Sequence, residues 1–556
     1  MSNKILYIVD IKYKQKDNFN LSGYIKEGSS VLSLTPYSSY FLDKLKIDYK
    51  TFHDILSIED FRDNLIKEYK KIEKIFDTYQ DFSYMFYYLV LIKTKQIYYK
   101  SIEDFISIEK KINQKIIYIT DSKRVNPDMK NYNFISNNYT LLHTFKDIDT
   151  IIELSNRDNY FYFRKKIDYL LSQLINIKQL STKIKKYILK KKYKVTLSYD
   201  NINFDSFFRA KKDKQVNIPL EDIKREYQIV KENLYPILQV ESSSKYINNM
   251  YENFFSSIED ELNSTSKIQN IKIEPFIFIS NHSDMIKGLI YKYNKIPKIF
   301  MQHGSYLHEN ITLKYCEIYP ADINFVFNDY VKEFFIKRGS KRVEVIGSIN
   351  FNKPIKVKRT KYDYVYITFC SNYTYSGTFI GEREAIVSMD AMNIYQRHKY
   401  IIELFGTKFI SKKLCIKIQH NIMLSHLYIP LIELSRNYNN ITIDFTTPLH
   451  SLMEWSKYIL SDYFSTEFTN IDLHYKKDII LFQNAPYPLK RDILEDMKKM
   501  FILVDTIDDL EDKIKNIEKI TKNRKRDSHI IEKYASKRCD TESIAINILK
   551  KYLDGR

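Results

Sequence analysis

Glycine and cysteine are scarce in this sequence. Only 10 of the 556 residues are glycine, and just two of them, at positions 23 and 28, fall among the first 140. That region contains no GxGxxG motif, which excludes a dinucleotide-binding turn of that type there. The four cysteines, at 316, 370, 415 and 539, form no CxxC pair and no zinc-ligand spacing. Such cysteine usage argues against a zinc site and is typical of a reducing cytoplasm.

Long apolar runs are also absent. The longest nearly apolar stretch, residues 82–92, is too short to cross a bilayer as a helix. Residues 1–4 lead into a short strand and a charged segment, so we do not expect a signal peptide. We therefore predict a cytoplasmic protein, either soluble or peripheral at the inner face of the cell membrane.

Basic residues are in excess, with 88 Lys and Arg against 69 Asp and Glu and a net charge of +19. This balance favours anionic partners such as nucleotides, acidic glycans, phospholipid surfaces or nucleic acid. Residues 183–194 carry seven lysines, and are either a solvated helix face or a surface for anionic lipid. Because the other lysines are spread along the chain without a recognised binding motif, we expect no nucleic-acid partner.

Short apolar runs alternate with helical segments between residues 273 and 350. This alternation is typical of a parallel sheet buried on both faces, and ligands bind beyond the carboxyl ends of its strands. Asn281-His282 and Gln302-His303-Gly304 fall at two such strand ends.

The alternation resumes after a break at residues 352–359, which are polar, basic and interrupted by proline, as interdomain linkers often are. We predict an α/β protein with two Rossmann-like domains, over residues 1–352 and 353–525. A helical insertion is expected around 145–265, and a helical tail over 526–556. Strands are predicted at Lys298–Met301 and Leu414–Ile418, and a helix over residues 385–405. The whole segment from 490 to 553 is predicted to be helical.

Three short motifs occur in the order Gln302-His303-Gly304, residues 416–421 and residues 459–467. They resemble motifs of GT-B glycosyltransferases and related transferases of bacterial surface polysaccharide synthesis. Gln302-His303-Gly304 is similar to their QHG. The segment 416–421 resembles their K-x-HP strand end, with one extra residue between Lys417 and His420 and with Asn421 in place of proline. The segment 459–467 is similar to their D-x-SST-x-xEA. Members include capsule Kdo transferases, sialyltransferase-like proteins and CDP-glycerol glycerophosphotransferases; the match covers roughly residues 273–490.

The resemblance implies a GT-B-like fold, with the two domains facing a cleft, and an inverting glycosyltransferase. The N-terminal domain would bind the acceptor, a glycan or glycolipid, and the C-terminal domain the nucleotide-activated sugar. A CMP-linked acidic sugar such as Kdo or a sialic-like acid is our first expectation for the donor. No cofactor is expected.

Residues of the C-terminal domain are predicted to hold the nucleotide. Ser465 and Thr466 follow a strand and precede a predicted helix, so hydroxyls and helix amides could receive a phosphate, and Glu467 could bind ribose. Alternatively, Ser465 and Thr466 only cap that helix, and Glu467 only serves its first turn. Charge or hydrogen bonds from Lys417 and His420 could stabilise the leaving phosphate in place of a metal. The predicted nucleotide-binding residues are Lys417, His420, Thr446, Pro448, Leu449, Ser465, Thr466 and Glu467.

Inverting transfer needs a base within hydrogen-bond reach of the acceptor hydroxyl. The candidate catalytic residues are His303, His282, Asp284 and Glu309, with Gln302 and Gly304 shaping the loop. Alternatively, His303 only shapes the loop, and Asn281-His282 only caps the next helix. Asp147-Ile148-Asp149 spells a DxD metal motif, but we expect it in a helical context and assign no metal.

Other functions remain open on the same fold, because fold does not determine function. They are polyol-phosphate transfer, sugar-nucleotide epimerisation, and a degenerate GT-B subunit without activity. A non-catalytic basic protein that binds membranes or nucleic acid is a further alternative.

Overall fold

A computed structural model describes the chain in separate stretches. The described residues are 5–11, 20–112, 115–121, 123–124, 139–140, 146–154, 214–217, 220–239, 251–263 except 253, 257 and 261, 270–273, 277–279, 295, 297–302, 314–347, 360–368, 391–418, 429–462, 477–482, 490–524, 527–535 and 540–554.

The first sheet has five parallel strands. They are β1 (Ile5–Asp10), β2 (Ser30–Ser33), β3 (Lys50–Thr51), β4 (Lys115–Thr120) and β7 (Thr150–Glu153), in the spatial order β3-β2-β1-β4-β7. β1 is buried along its whole length, as expected for a central parallel strand covered on both faces. Two separate sheets have two short strands each: β5 (Lys123–Arg124) with β6 (Tyr139–Thr140), and β8 (Lys214–Asn217) with β9 (Asn270–Ile273).

Helices cover both faces of the first sheet. On one face packs α1 (Pro36–Lys44). It is capped by Thr35, whose side chain accepts a hydrogen bond from the backbone nitrogen of Ser38. On the other face pack α2 (Ile58–Thr78) and α3 (Tyr84–Lys111), and α4 (Leu220–Gln239) lies against α2.

A second parallel sheet follows, with four strands side by side in chain order: β10 (Ile277–Ile279), β11 (Lys298–Met301), β12 (Ile323–Val326) and β13 (Val343–Val345). One of its faces joins the buried cluster that also lies between the first sheet, α2 and α3. Between β12 and β13 runs α5 (Asp329–Lys337). Thus the two N-terminal sheets share one core.

The third sheet has six parallel strands. They are β14 (Tyr362–Thr368), β15 (Leu414–Ile418), β16 (Ile441–Asp444), β17 (Ser456–Ser461), β18 (Asp478–Phe482) and β19 (Ile502–Val504). Their spatial order is β16-β15-β14-β17-β18-β19, the 3-2-1-4-5-6 order of Rossmann dinucleotide-binding sheets. The direction of winding reverses between β14 and β17. The carboxyl ends of these two strands therefore flank the crevice where such sheets bind ligands.

Two layers of helices cover the third sheet. One layer contains α6 (Ala391–Thr407), α7 (Ile429–Ser435), α10 (Ile507–Lys515) and α11 (Ile517–Asn523). The opposite layer contains α8 (Leu449–Trp455), α9 (Leu494–Met500) and α12 (Ser528–Tyr534).

Several helices connect the halves of the protein. The last helix, α13 (Thr541–Asp554), packs Ala545 and Leu549 onto the second sheet. From the first domain, α1 contacts α6, where the Tyr395 hydroxyl donates to Oδ2 of Asp43 at 3.0 Å. A further contact joins α5 to α12, where Nδ2 of Asn328 donates to the backbone carbonyl of Tyr534 at 2.9 Å.

The predicted α/β class with parallel Rossmann-like sheets is confirmed. The GT-B-like arrangement of two domains facing a cleft stays a prediction. Predicted strands at Lys298–Met301 and Leu414–Ile418 agree with the structure to the residue. The domain boundaries stay a prediction.

Three local predictions are wrong. The tail predicted to be helical contains β19, a three-residue strand whose brief apolar run lies between charged helices. The predicted helical region near residue 145 contains β7, which is too short to display a strand period. Asp147 and Asp149 lie in a turn before β7 rather than in a helix, and they accept hydrogen bonds from Ser107 and from the backbone of Ile116.

Candidate functional site

A buried polar cluster lies where β14 and β17 end. Asp462 directly follows β17, and its Oδ2 accepts hydrogen bonds from the Tyr366 hydroxyl at 2.8 Å and the Thr368 hydroxyl at 3.0 Å. All three residues have less than 1% of their surface exposed. Tyr366 pairs in register with Leu460, so Asp462 lies two residues further along on the same face of the sheet. Strand alternation therefore brings hydroxyls and carboxylate together.

α6 adds two basic side chains to this cluster. Nε2 of His398 is hydrogen-bonded to Oγ1 of Thr368, and Nη1 of Arg397 lies 3.7 Å from Oδ2 of Asp462. Thr368 has one hydroxyl proton and donates it to Asp462, so its oxygen accepts from His398. The ring is then the tautomer with its proton on Nε2.

Burial keeps His398 neutral. It lowers the pKa of the ring from 6.5 to about 4, with Arg397 acting in the same direction, although the carboxylate of Asp462 opposes the shift. The charges in the cluster are therefore one carboxylate and one guanidinium.

The predicted nucleotide-binding residues that the structure describes lie at the same edge of the sheet but on its opposite face. Nζ of Lys417 is 3.4 Å from Oδ1 of Asp444, and the two residues are register partners on β15 and β16. The backbone nitrogen of Thr446 donates to the same oxygen at 3.1 Å. Pro448 and Leu449 then begin α8. Asp444 thus joins Lys417 to the turn that carries Thr446.

The positive charge of Lys417 is balanced by the neighbouring carboxylate of Asp444. Burial acts to raise the pKa of Asp444, but hydrogen bonds from Thr447 and the charge of Lys417 outweigh it and hold that pKa below its ordinary value. Lys417 is itself largely buried, with 6% of its surface exposed. The arrangement is a lysine–carboxylate pair; a role in nucleotide binding stays a prediction.

The first sheet has a counterpart of the Tyr366–Asp462 bond. The Tyr118 hydroxyl on β4 donates to Oδ2 of Asp10, at the end of β1, at 2.6 Å. Tyr118 pairs in register with Ile8, so the carboxylate again lies two residues beyond the tyrosine's partner. In the first sheet the tyrosine lies on β4 and the aspartate ends β1. In the third sheet the tyrosine lies on β14, the first strand of that sheet in the chain, and the aspartate follows β17, the fourth.

Gln302, predicted to shape the loop after β11, is buried and ties two strand ends together. Its Oε1 accepts a hydrogen bond from the backbone of Phe327 at 2.6 Å, and its own backbone nitrogen donates to Phe325 at 2.9 Å. These bonds fix the start of the segment that leads to His303.

The remaining predicted residues lie outside the described parts of the chain, and their roles stay predictions. They are His282, Asp284, His303, Gly304, Glu309, His420, Ser465, Thr466 and Glu467. The lysine-rich segment 183–194 lies outside them as well.

Sequence reasoning missed Tyr366, Thr368, Arg397 and His398. Arg397 and His398 lie inside a predicted helix, where nothing in the local pattern separates an inward-facing basic residue from a solvated one. A usable signal existed only for Asp462, a carboxylate directly after an apolar strand.

A surface groove of about 840 Å³ lies away from this cluster, beside β19, and its lining includes Lys499, Asp505 and Arg524. None of the predicted site residues within the described ranges lines it. Among the described residues there is no group of three or more His, Cys, Asp or Glu that could hold a metal ion. Every helix in the described stretches is too short or too polar to cross a membrane.

No protein-family model matches the chain, and no curated protein sequence matches it. Several solved structures are distantly similar. MnaA of S. aureus with UDP is 12% identical, covers 54% of this chain and 78% of its own, and has a TM-score of 0.34. The Methanocaldococcus jannaschii UDP-GlcNAc 2-epimerase with UDP-GlcNAc and UDP is 15% identical, with 58% and 88% covered and a TM-score of 0.33. The calicheamicin glycosyltransferase CalG4 is 10% identical, with 81% and 93% covered and a TM-score of 0.31.

Proposed function

We propose that this protein is a nucleotide-sugar enzyme, and specifically a glycosyltransferase that moves a sugar from a nucleotide donor to a surface glycan. One observation supports the proposal above others. The third sheet has the strand order of nucleotide-binding Rossmann sheets, and buried charged and polar side chains converge at its crossover between β14 and β17.

The finer assignment rests on the sequence motifs. His303 is the proposed base, with His282, Asp284 and Glu309 as the other candidates. The donor phosphate is assigned to Ser465, Thr466 and His420, and the proposed donor is a CMP-linked acidic sugar. Transfer is proposed to need no metal, because side-chain cations and helix amides can stabilise a leaving phosphate.

Nucleotide binding is tested first. The full chain is heated with CMP, CDP, UDP or GDP, and the unfolding temperature is followed. A nucleotide at a hundredfold excess over its Kd stabilises the folded state by about 2.7 kcal/mol. A clear shift of the unfolding temperature with one nucleotide supports the proposal and identifies the nucleobase of the donor. Failure of all four to shift the transition would reject a nucleotide-sugar enzyme.

The reaction type needs a second assay. A glycosyltransferase consumes its sugar nucleotide only when an acceptor glycan is present, whereas an epimerase converts the sugar without any acceptor. A polyol-phosphate transferase would release CMP from CDP-glycerol. Turnover that survives EDTA supports the metal-free mechanism; loss of activity in EDTA that Mg²⁺ or Mn²⁺ restores would refute it.

A further inference from the structure

Arg397 holds an unusual position in the polar cluster. Its side chain has only 12% of its surface exposed, and its guanidinium lies 4.9 Å from the ring centre of Phe482, the last residue of β18. It therefore sits over the carboxyl ends of β14, β17 and β18, at the crossover of the sheet.

The hydrogen-bonding capacity of this guanidinium is not used up. Within the described parts of the chain, Nη1 is buried and has no hydrogen-bond acceptor. The carboxylate of Asp462 pairs with Arg397, but 3.7 Å is beyond hydrogen-bond distance, and Oδ2 of Asp462 already accepts from Tyr366 and Thr368. Asp462 thus balances the charge of Arg397 without satisfying its donors.

A buried donor without an acceptor is destabilising, the more so when the group is charged, and it calls for a partner. A guanidinium presents its donors as a planar fork that fits the paired oxygens of a phosphate or a carboxylate. Lys417 is a poorer candidate for binding such an anion, because its ammonium is already paired with Asp444 on the opposite face of the sheet.

We infer that Arg397 receives an anionic oxygen pair of the bound substrate at the crossover of the third sheet. This inference rests on the proposed function and adds a residue to its site. The oxygens would belong either to the nucleotide phosphate or to the carboxylate of an acidic sugar. Asp462 acts as a positioning residue, holding the guanidinium over the strand ends.

The test compares nucleotides with their parent nucleosides. Binding of CMP, UDP and GDP, and of cytidine, uridine and guanosine, is measured by calorimetry with the wild type and with Arg397→Met, which keeps the bulk of the side chain. We expect Arg397→Met to weaken nucleotide binding by about 10- to 100-fold, the usual worth of a charge-assisted hydrogen bond, and to leave nucleoside binding unchanged.

Two further variants control for folding, because Arg397→Met removes the counter-charge of buried Asp462. Arg397→Lys keeps the charge and loses the fork, so it should lose part of the affinity. The double variant Arg397→Met with Asp462→Asn restores charge balance. It should unfold near the wild-type temperature and still lose the preference for nucleotide over nucleoside.

Each outcome of these binding measurements either supports the anion site at Arg397 or overturns it. Equal losses for nucleotide and nucleoside would overturn the inference, and so would the absence of any loss for the nucleotides and for CMP-N-acetylneuraminic acid. A loss seen with CMP-N-acetylneuraminic acid but not with CMP would assign the oxygens to the sugar carboxylate. If the wild type binds no nucleotide, the proposed function fails, and pyrophosphate becomes the probe. Stabilisation of the wild type but not of Arg397→Met by pyrophosphate would keep the anion site, and equal behaviour of the two would remove it.

Discussion

The Tyr366 hydroxyl donates a 2.8 Å hydrogen bond to Oδ2 of Asp462, across the crossover of the third sheet. The bond joins residues 96 positions apart. Tyr366 lies on β14, and Asp462 directly follows the neighbouring strand β17. Tyr118 and Asp10 make the matching bond at 2.6 Å in the first sheet. In both sheets a tyrosine thus holds a carboxylate at the carboxyl end of a central strand.

Replacement of Tyr366 by Phe should destabilise the protein by about 1.5–3 kcal/mol, since hydrogen bonds to charged groups contribute that much. Urea unfolding measures the change. Tyr364→Phe is the matched control: Tyr364 lies two residues earlier on the same strand, and its buried hydroxyl has no partner among the described residues. That variant should be as stable as the wild type or more so. Equal losses in the two variants would contradict this account.

His398 should make the protein sensitive to acid. Burial lowers its pKa to about 4 in the folded state, whereas the unfolded chain takes up the proton near pH 6.5. Stability is therefore full above pH 6.5 and falls as the pH drops toward 4, by about 3 kcal/mol in all. His398→Gln removes this part of the slope. Urea unfolding of wild type and variant at pH 7, 5.5 and 4.5 measures it, and parallel pH profiles would rule it out.

Gly406 near the end of α6 leaves room for Tyr438. A Cβ added at Gly406 would overlap the Tyr438 ring, so Gly406→Ala should cost about 1–3 kcal/mol of overpacking, more than the roughly 1 kcal/mol that alanine gains in helix propensity. Thermal unfolding checks the sign. Gly23→Ala, where nothing lies within 4 Å of the new Cβ, should change stability by less than about 0.5 kcal/mol. A more stable Gly406→Ala would show that the ring can move aside.

His303→Ala tests the proposed base. If His303 takes the acceptor proton, kcat should fall by roughly 10²–10⁴-fold, the usual contribution of a positioned acid–base group. Nucleotide affinity should hardly change, because the donor is assigned to the other domain. Steady-state kinetics and calorimetry measure the two quantities. His282→Ala is the control, and a larger loss there would move the base to that residue. If the His303→Ala variant turns over substrate at the wild-type rate, His303 only forms the loop.

The sequence predicts the α/β class because each buried strand is a local event. Lys298–Met301 and Leu414–Ile418 are compact apolar runs bounded by polar residues, and their limits can be located without knowing what covers them. β19 was missed because three residues cannot establish a period within a charged, helical tail.

The polar cluster was not predictable in the same way. The sequence places Asp462 at a strand end, but nothing local indicates that Tyr366 and Arg397 will meet it there. For α13, the apolar spacing of Ala545 and Leu549 requires one buried face without naming its partner, and the second sheet supplies it. Periodicity within a segment sets which face of that segment avoids water, whereas the choice of partner depends on strand order and register across the whole chain. The sequence by itself therefore determined the elements and their buried faces; the tertiary structure alone decided which polar side chains share the crossover.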